Sequence, residues 1–212
     1  MTQNGILFDI DGTLWDASES ITASWNQVLA RQADTGGLQI TTERMQTMLG
    51  KTSADIFRIL LPDLSEERRA EISKLCCNNE KVYLKEHSGI LYPLETETLS
   101  KLSRDFQLFV VSNCQVSYME TFLEHCGLRS FFSDTECYGR TRKSKGENIR
   151  LLLGRHNLQK AVYIGDTQLD YDSAQYAGIP FVHAAYGFGS VKEQVPAVQA
   201  FCELPAAVSK IF

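Results

Sequence analysis

The sequence has no dense run of lysine and arginine, and its formal net charge is −5, with 21 Lys and Arg against 26 Asp and Glu. That balance excludes a basic strip able to track a nucleic-acid backbone or an anionic membrane surface. No uninterrupted apolar stretch approaches the roughly 20 residues that span a bilayer, and the first apolar run stops at the charged Asp9. No membrane or secretion signal is read. The six cysteines, Cys76, Cys77, Cys114, Cys126, Cys137 and Cys202, show neither the paired spacing of a zinc site nor the density of a small secreted scaffold. Internal repeats and low-complexity segments are missing as well. The expectation is a cytoplasmic globular protein, a monomer or small homo-oligomer, whose partner is a small molecule. Its 212 residues, 43% hydrophobic, suffice for one domain or one domain carrying an insertion.

What is present is an alternation. Short apolar runs at Gly5 to Phe8, Leu108 to Val111, Ala161 to Ile164 and Ile179 to Val182 are too short for helices and read as buried strands. Helical patterns separate the later ones: Gln115 to Cys126 stopped by Gly127, and Gln168 to Ala177 stopped by Gly178. Ser144 and Glu147 have the spacing of a capping box, which predicts a helix from Lys145 through Ile149, Leu152 and Leu153 to a stop at Asn157. Alternating strands and helices imply a parallel sheet in an α/β fold. Between Ser18 and Ser88 the alternation breaks, with helical patterns at Ser20 to Gln32, Thr42 to Met48, Ser53 to Leu61 and Glu66 to Lys85 and no convincing strand between them. This reads as an inserted helical module. Gly187-Phe188-Gly189 reads as a loop after the last strand.

Four short motifs carry chemistry. In Phe8-Asp9-Ile10-Asp11-Gly12-Thr13, two carboxylates directly follow a buried strand. Carboxylates at the carboxyl end of a parallel strand sit where open α/β sheets bind ligands, and two together repel unless a cation or proton intervenes. Taken alone, the hexapeptide also fits an Asp-Gly turn with a capping Asp. Gly165-Asp166-Thr167-Gln168-Leu169-Asp170 follows another strand and adds acids at the same edge, where hard oxygen ligands suit Mg²⁺. Asp172 fits better as a helix-dipole residue than as a ligand. At the end of Val110-Val111-Ser112-Asn113, a hydroxyl and an amide stand where a helix N-terminus can offer donors to phosphate, although Ser112 equally fits a helix cap. Lys145 occupies the first turn of its helix, which the macrodipole disfavours, so it either faces a phosphate or is a solvated surface lysine. Lys143 competes for the same role.

With these four pieces in this order, the chain resembles the haloacid dehalogenase superfamily, and within it the phosphoglycolate-phosphatase-like hydrolases. Asp9 and Asp11 match the family's Asp-x-Asp-Gly-Thr motif, Ser112 its strand-end Ser/Thr, Lys145 its lysine, and Gly165-Asp166 with Asp170 its acidic motif. The resemblance implies a Rossmann-like parallel sheet core over 1–17 and 89–212, with a small helical cap inserted over 18–88 and Tyr92-Pro93 near the point of return. It implies a Mg²⁺-dependent phosphatase acting on a small phosphorylated metabolite, phosphoglycolate-like or a sugar phosphate. Asp9 would be the nucleophile that carries the phosphoryl group, and Asp11 the acid that protonates the leaving oxygen and then deprotonates water. Asp9, the Asp11 backbone carbonyl and Asp166 would hold the metal. Ser112, Asn113 and Lys145 would bind the phosphate, and Asp170 would orient Lys145 or the metal waters. Lys51 and Thr52, after Gly50 in the cap, are candidates for substrate contact, as they are for a solvated loop.

Three other readings stand beside this one. A dehalogenase uses the same nucleophile, but the family's dehalogenases typically lack the acid that Asp11 supplies. A phosphohexomutase would pass the phosphoryl group back to a sugar. A non-catalytic regulator would keep the fold and bind a phosphorylated ligand without turnover.

Overall fold

The computed structural model describes residues 4–212, so residues 1–3 of the expected core segment 1–17 lie outside the described residues. A six-stranded, all-parallel sheet forms the centre, in the order β5-β4-β1-β6-β7-β8. These strands are β1 (Asn4–Phe8), β4 (Gln107–Ser112), β5 (Phe132–Cys137), β6 (Lys160–Gly165), β7 (Phe181–Ala184) and β8 (Ala197–Val198). Helices α5 (Glu95–Leu102), α6 (Val116–His125), α7 (Tyr138–Thr141), α8 (Lys145–Arg155), α9 (Gln168–Ala177) and α10 (Leu204–Val208) surround it. The central strands carry continuous apolar runs because both faces are covered. Ile6, Phe8, Val110 and Ile164 pack into one cluster, while Leu7, Phe109, Val111 and Tyr163 join Ile149 and Leu152 of α8 in the other. From β1 the chain runs outward through β4 to β5 and then returns to β6 on the other flank. The crevice beyond the carboxyl ends of β1, β4 and β6 is therefore a topological switch point, where such sheets bind ligands.

Between β1 and β4 lies a helical excursion: α1 (Ser18–Leu29), α2 (Thr42–Gln46), α3 (Ser53–Leu60) and α4 (Glu66–Tyr83). Helix α4 packs along α1 and α3. A two-stranded antiparallel ribbon of β2 (Trp15–Asp16) and β3 (Ile90–Leu91) joins its outgoing and returning chains. Thr52 and Ser65 cap α3 and α4.

Several elements depart from expectation. The strand expected at Ile179 to Val182 begins at Phe181, because Gly178 takes the left-handed conformation that ends α9 and the Ile179 N–H bonds back to the Ala174 carbonyl. That strand is not the last: β8 follows it, so Gly187-Phe188-Gly189 connects two strands. Strand β5 escapes an apolar-run search because it reads Phe-Ser-Asp-Thr-Glu-Cys; at the sheet edge, its Asp134 and Glu136 pair with Arg155. Helix α8 ends at Arg155, and Asn157 supplies the left-handed residue just beyond it. In the excursion, α1 begins two residues earlier than expected, and α2 ends at Gln46 and α4 at Tyr83.

Candidate functional site

Asp9 is the first residue beyond β1, Ser112 the last of β4 and Asp166 the first beyond β6. Parallel pairing brings these three strand ends together. Lys145 reaches them from the first turn of α8, which starts where the capping box of Ser144 and Glu147 places it. Its ammonium donates to Asp170 Oδ1 at 2.5 Å and forms an ion pair with Asp9 Oδ2 at 3.0 Å. Burial by itself would lower the lysine's pKa; the charges of Asp170 and Asp9 more than reverse that and hold it as a cation. Lys143, by contrast, is exposed.

Asp170 is fully committed. While Oδ1 takes Lys145, Oδ2 accepts from the Thr167 backbone N–H and hydroxyl at 3.0 and 2.6 Å, closing a capping box on α9. Asp172 is exposed and accepts from Gln168 on the same helix at 3.0 Å. Asp166 is held differently. Its Oδ2 accepts from the backbone N–H groups of Phe188 and Gly189 at 2.8 and 3.1 Å, and its Oδ1 is buried without a hydrogen-bond partner. Asp9 Oδ1 is likewise buried without a partner, while its Oδ2 has only the Lys145 ion pair. Unpaired buried carboxylate oxygens are expensive, and a cation is what satisfies them. Asp9, Asp166 and Asp170 each place an oxygen within 4.8 Å of the others. With Asp170 occupied, the free oxygens of Asp9 and Asp166 are the ones that fit a hard divalent ion.

Burial, together with the neighbouring negative charge, raises the pKa of these carboxyls. Burial pushes Asp9 up to about 7, with Lys145 opposing and Asp170 and Asp11 adding to the rise. Burial, then the charges of Asp170 and Asp9, raise Asp166 well above the usual carboxylate range. Asp11 is raised to about 6 by burial, against the hydrogen bond its Oδ1 accepts from the Tyr118 hydroxyl. Tyr118 accepts in turn from the Trp15 indole at 3.1 Å.

Sequence reasoning missed two supports of this arrangement. Tyr118 lies on α6, far from either acidic motif, and no local signal marks it. The Gly187-Phe188-Gly189 segment is a wall of the site as well as a loop. A Cβ at Gly187 would stand 2.2 Å from the Gly12 carbonyl oxygen, and one at Gly12, whose φ is +77°, would stand 2.3 Å from Asp166 Oδ2. Gly12 and Gly187 let both loops close on Asp166; the spacing of Gly187 and Gly189 around Phe188 was the available signal.

Ser112 does not cap a helix: Gln115 is the N-cap of α6. Asn113 turns its amide toward the helical side, where Nδ2 donates to the Gly50 carbonyl at 2.9 Å. Lys51 is exposed and donates to the Thr47 carbonyl, and Thr52 is engaged with Asp55. Both nevertheless line a cleft of about 980 Å³ between the helical excursion and the sheet edge, with Lys145 and Thr167 on the opposite wall. Among the described residues, no helix is long and apolar enough to cross a membrane.

Comparison with known proteins places this geometry in context. The family of haloacid dehalogenase-like hydrolases matches residues 6–184. The phosphoglycolate phosphatase of Aquifex aeolicus (strain VF5) is 27% identical over 197 residues, covering 90% of this chain and 89% of that protein. The phosphoglycolate phosphatase of Synechococcus elongatus is 28% identical over 195 residues, with 91% and 88% covered. Among solved structures, CbbY from Rhodobacter sphaeroides in complex with phosphate superimposes with a TM-score of 0.81 at 19% identity, covering 99% of this chain and 100% of that one. A haloacid dehalogenase-like family protein from Streptococcus pneumoniae gives 0.81 at 21%, covering 98% and 100%.

Proposed function

This chain belongs to the haloacid dehalogenase-like hydrolases, and from that membership we propose that it is a magnesium-dependent phosphoric monoester hydrolase that cleaves a small phosphorylated metabolite through an aspartyl-phosphate at Asp9. The observation that carries the reading is the pair of buried Oδ1 atoms on Asp9 and Asp166 that lack a partner, gathered beside the Lys145 ammonium at the switch point of the sheet. Those oxygens suit Mg²⁺, with the Asp11 backbone carbonyl as the further ligand that the resemblance implies. Bound there, the ion would supply positive charge against the transferring phosphoryl group. Asp170, saturated by Lys145 and Thr167, positions the lysine instead of binding metal.

Asp9 attacks phosphorus as the ionised carboxylate, a state favoured by the Lys145 ammonium 3.0 Å away. The Asp9–phosphorus bond forms as the bond from phosphorus to the ester oxygen breaks, and Asp11 gives its proton to that oxygen. Asp11 can hold this proton because burial raises its carboxyl to about 6. Ionised by the first step, Asp11 then takes a proton from the water that attacks the aspartyl-phosphate. Ser112 and Lys145 bind the phosphoryl oxygens from two sides. Residues 18–88 act as a cap over the core of 1–17 and 89–212, excluding bulk water from the reaction. Six free cysteines support a reducing cytoplasm as the place of action.

The test is hydrolysis of an aryl phosphate with Mg²⁺ and with excess chelator, followed by the same assay on Asp11→Asn. Turnover is expected only with Mg²⁺. Asp11→Asn should lose far more rate on alkyl phosphates, whose leaving oxygen needs a proton, than on the aryl ester. Undiminished turnover in chelator removes the metal, and equal losses on both esters remove the acid role.

A further inference from the structure

A cavity of about 50 Å³ lies between the sheet edge and the helical excursion, lined by Asp11 and Tyr118 on one side and by Trp25 of α1 and Glu80 of α4 on the other. Asp11 reaches its wall at the end of a chain of three side chains. The Trp15 indole N–H donates to the Tyr118 hydroxyl at 3.1 Å, and that hydroxyl donates to Asp11 Oδ1. Trp15 belongs to the ribbon that carries the chain into the excursion, whereas Tyr118 is on α6, 107 residues from Asp11. Edge-on packing fixes the rings: Trp15 lies 5.7 Å from Tyr118 and 5.1 Å from Phe122. Trp15 is fully buried and Tyr118 is 5% exposed, so water competes little for these bonds.

The direction of the chain follows from its protons. An indole nitrogen can only donate, and a phenol, with an ordinary pKa of about 10, keeps its single proton at neutral pH. Because Trp15 donates to the Tyr118 oxygen, the phenol proton turns to Asp11 Oδ1, the one acceptor that this hydroxyl has among the described residues. If Oδ1 carried the Asp11 proton and donated it back, the phenol proton would be buried without an acceptor, which is costly. Oδ1 is therefore an acceptor whether Asp11 is ionised or protonated. The exchangeable proton is confined to Oδ2.

Resting on the phosphatase reading, we propose that Tyr118, held by Trp15, is a positioning residue that fixes which oxygen of Asp11 exchanges the proton. Oδ1 stays anchored, and Oδ2 serves both half-reactions. In the first, Oδ2 gives its proton to the ester oxygen as the bond from that oxygen to phosphorus breaks and the Asp9–phosphorus bond forms. In the second, the same Oδ2 takes a proton from water as the water oxygen bonds to phosphorus and the Asp9–phosphorus bond breaks. Without the phenol, the carboxyl can turn about its Cβ–Cγ bond and present either oxygen. The geometry on which proton transfer depends is then lost for part of the time.

Tyr118→Phe tests this, because it removes one oxygen and leaves the ring. With the full chain at saturating Mg²⁺, kcat/KM for an alkyl phosphate should fall at least about tenfold, and for an aryl phosphate, whose leaving oxygen needs no proton, it should change by less than about threefold. Turnover of the aryl ester at saturation should still slow, since the water step uses the same oxygen, and the mass of acid-quenched protein should show phosphorylated enzyme accumulating. In an Asp11→Asn background, Tyr118→Phe should slow aryl turnover no further; a purely structural role would cost the same in both backgrounds. Trp15→Phe, which frees the phenol proton to turn away, should show the same split more weakly, and it carries the comparison should Tyr118→Phe lose its cooperative melt. Equal losses on the two esters, an unchanged alkyl rate in folded Tyr118→Phe, or a full further loss in the Asp11→Asn background overturns the positioning role while the phosphatase reading stands. Absence of aryl ester turnover in the unmodified protein removes the reading on which the proposal rests.

Discussion

Along the sheet edge, Asp9, Ser112 and Asp166 stand at or one residue beyond a strand end, whereas on the helical side Trp25 and Glu80 meet across 55 residues of sequence. The two walls of the site are built differently. On the sheet side, backbone pairing does the positioning: once β1, β4 and β6 align, a residue just past each strand has its place in space. On the helical side the placement comes from packing of α1 against α4, so a side chain reaches the cavity only if both helix faces are correct. The sheet side gathers charges that need a cation, and the helical side offers one fixed carboxyl among apolar neighbours.

Four measurements test this contrast. The largest effect is expected at Asp9, where Asp9→Asn removes the charge of the proposed nucleophile at nearly constant volume; turnover should fall by about 10⁴-fold or more while the cooperative melt is retained. Loss of the melt would mean that the sheet edge needs Asp9 for folding. Next is the lysine pair. Lys145→Ala removes a buried charge directed at the site and should cost on the order of 2 to 4 kcal/mol in the barrier, or roughly 30-fold to 1,000-fold in kcat/KM. The exposed Lys143→Ala should change it only a few-fold, and the reverse ranking on folded protein would transfer the role.

The third measurement concerns the helical wall alone. The Glu80 carboxyl, ordinarily near 4.5, is raised to about 8 in the folded protein. Protonated Glu80 therefore favours the fold fully below about pH 4.5, and that contribution is lost as the pH rises through 8, at about 1.4 kcal/mol for each unit of difference. Glu80→Gln should match the unmodified protein near pH 5 and melt at a higher temperature at pH 9. Parallel melting curves across that range would place the carboxyl in water instead. The smallest effect is expected where the walls touch. Asn113→Ala removes the bond to the Gly50 carbonyl, worth about 0.5 to 1.5 kcal/mol, and should raise KM a few-fold with little change in kcat. An equal loss in kcat would assign Asn113 to the phosphoryl group itself.

Much of the sheet wall was legible because its signals are local. An apolar run followed by carboxylates gives both the strand and its functional end, and Ser144 with Glu147 places Lys145 on the first turn of α8 before any tertiary contact is known. Strand β5 was hidden because its acids are neutralised by Arg155, a partner distant in sequence. Glu80 was hidden for a related reason: on a helix rich in polar residues, a buried glutamate looks like any exposed one until α1 lays Trp25 against it.

Local signals in the chain identify the carboxyl ends of β1, β4 and β6, the Ser144–Glu147 capping box and the order of the acidic motifs, since each depends on residues within a few positions of one another. Only the tertiary structure decided which lysine is buried, which oxygens of Asp9 and Asp166 lack partners, and that Tyr118 and Glu80 face the same cavity as Asp11. Burial and pairing belong to the packed whole, because desolvation and hydrogen-bond partnership depend on every segment that closes around a group.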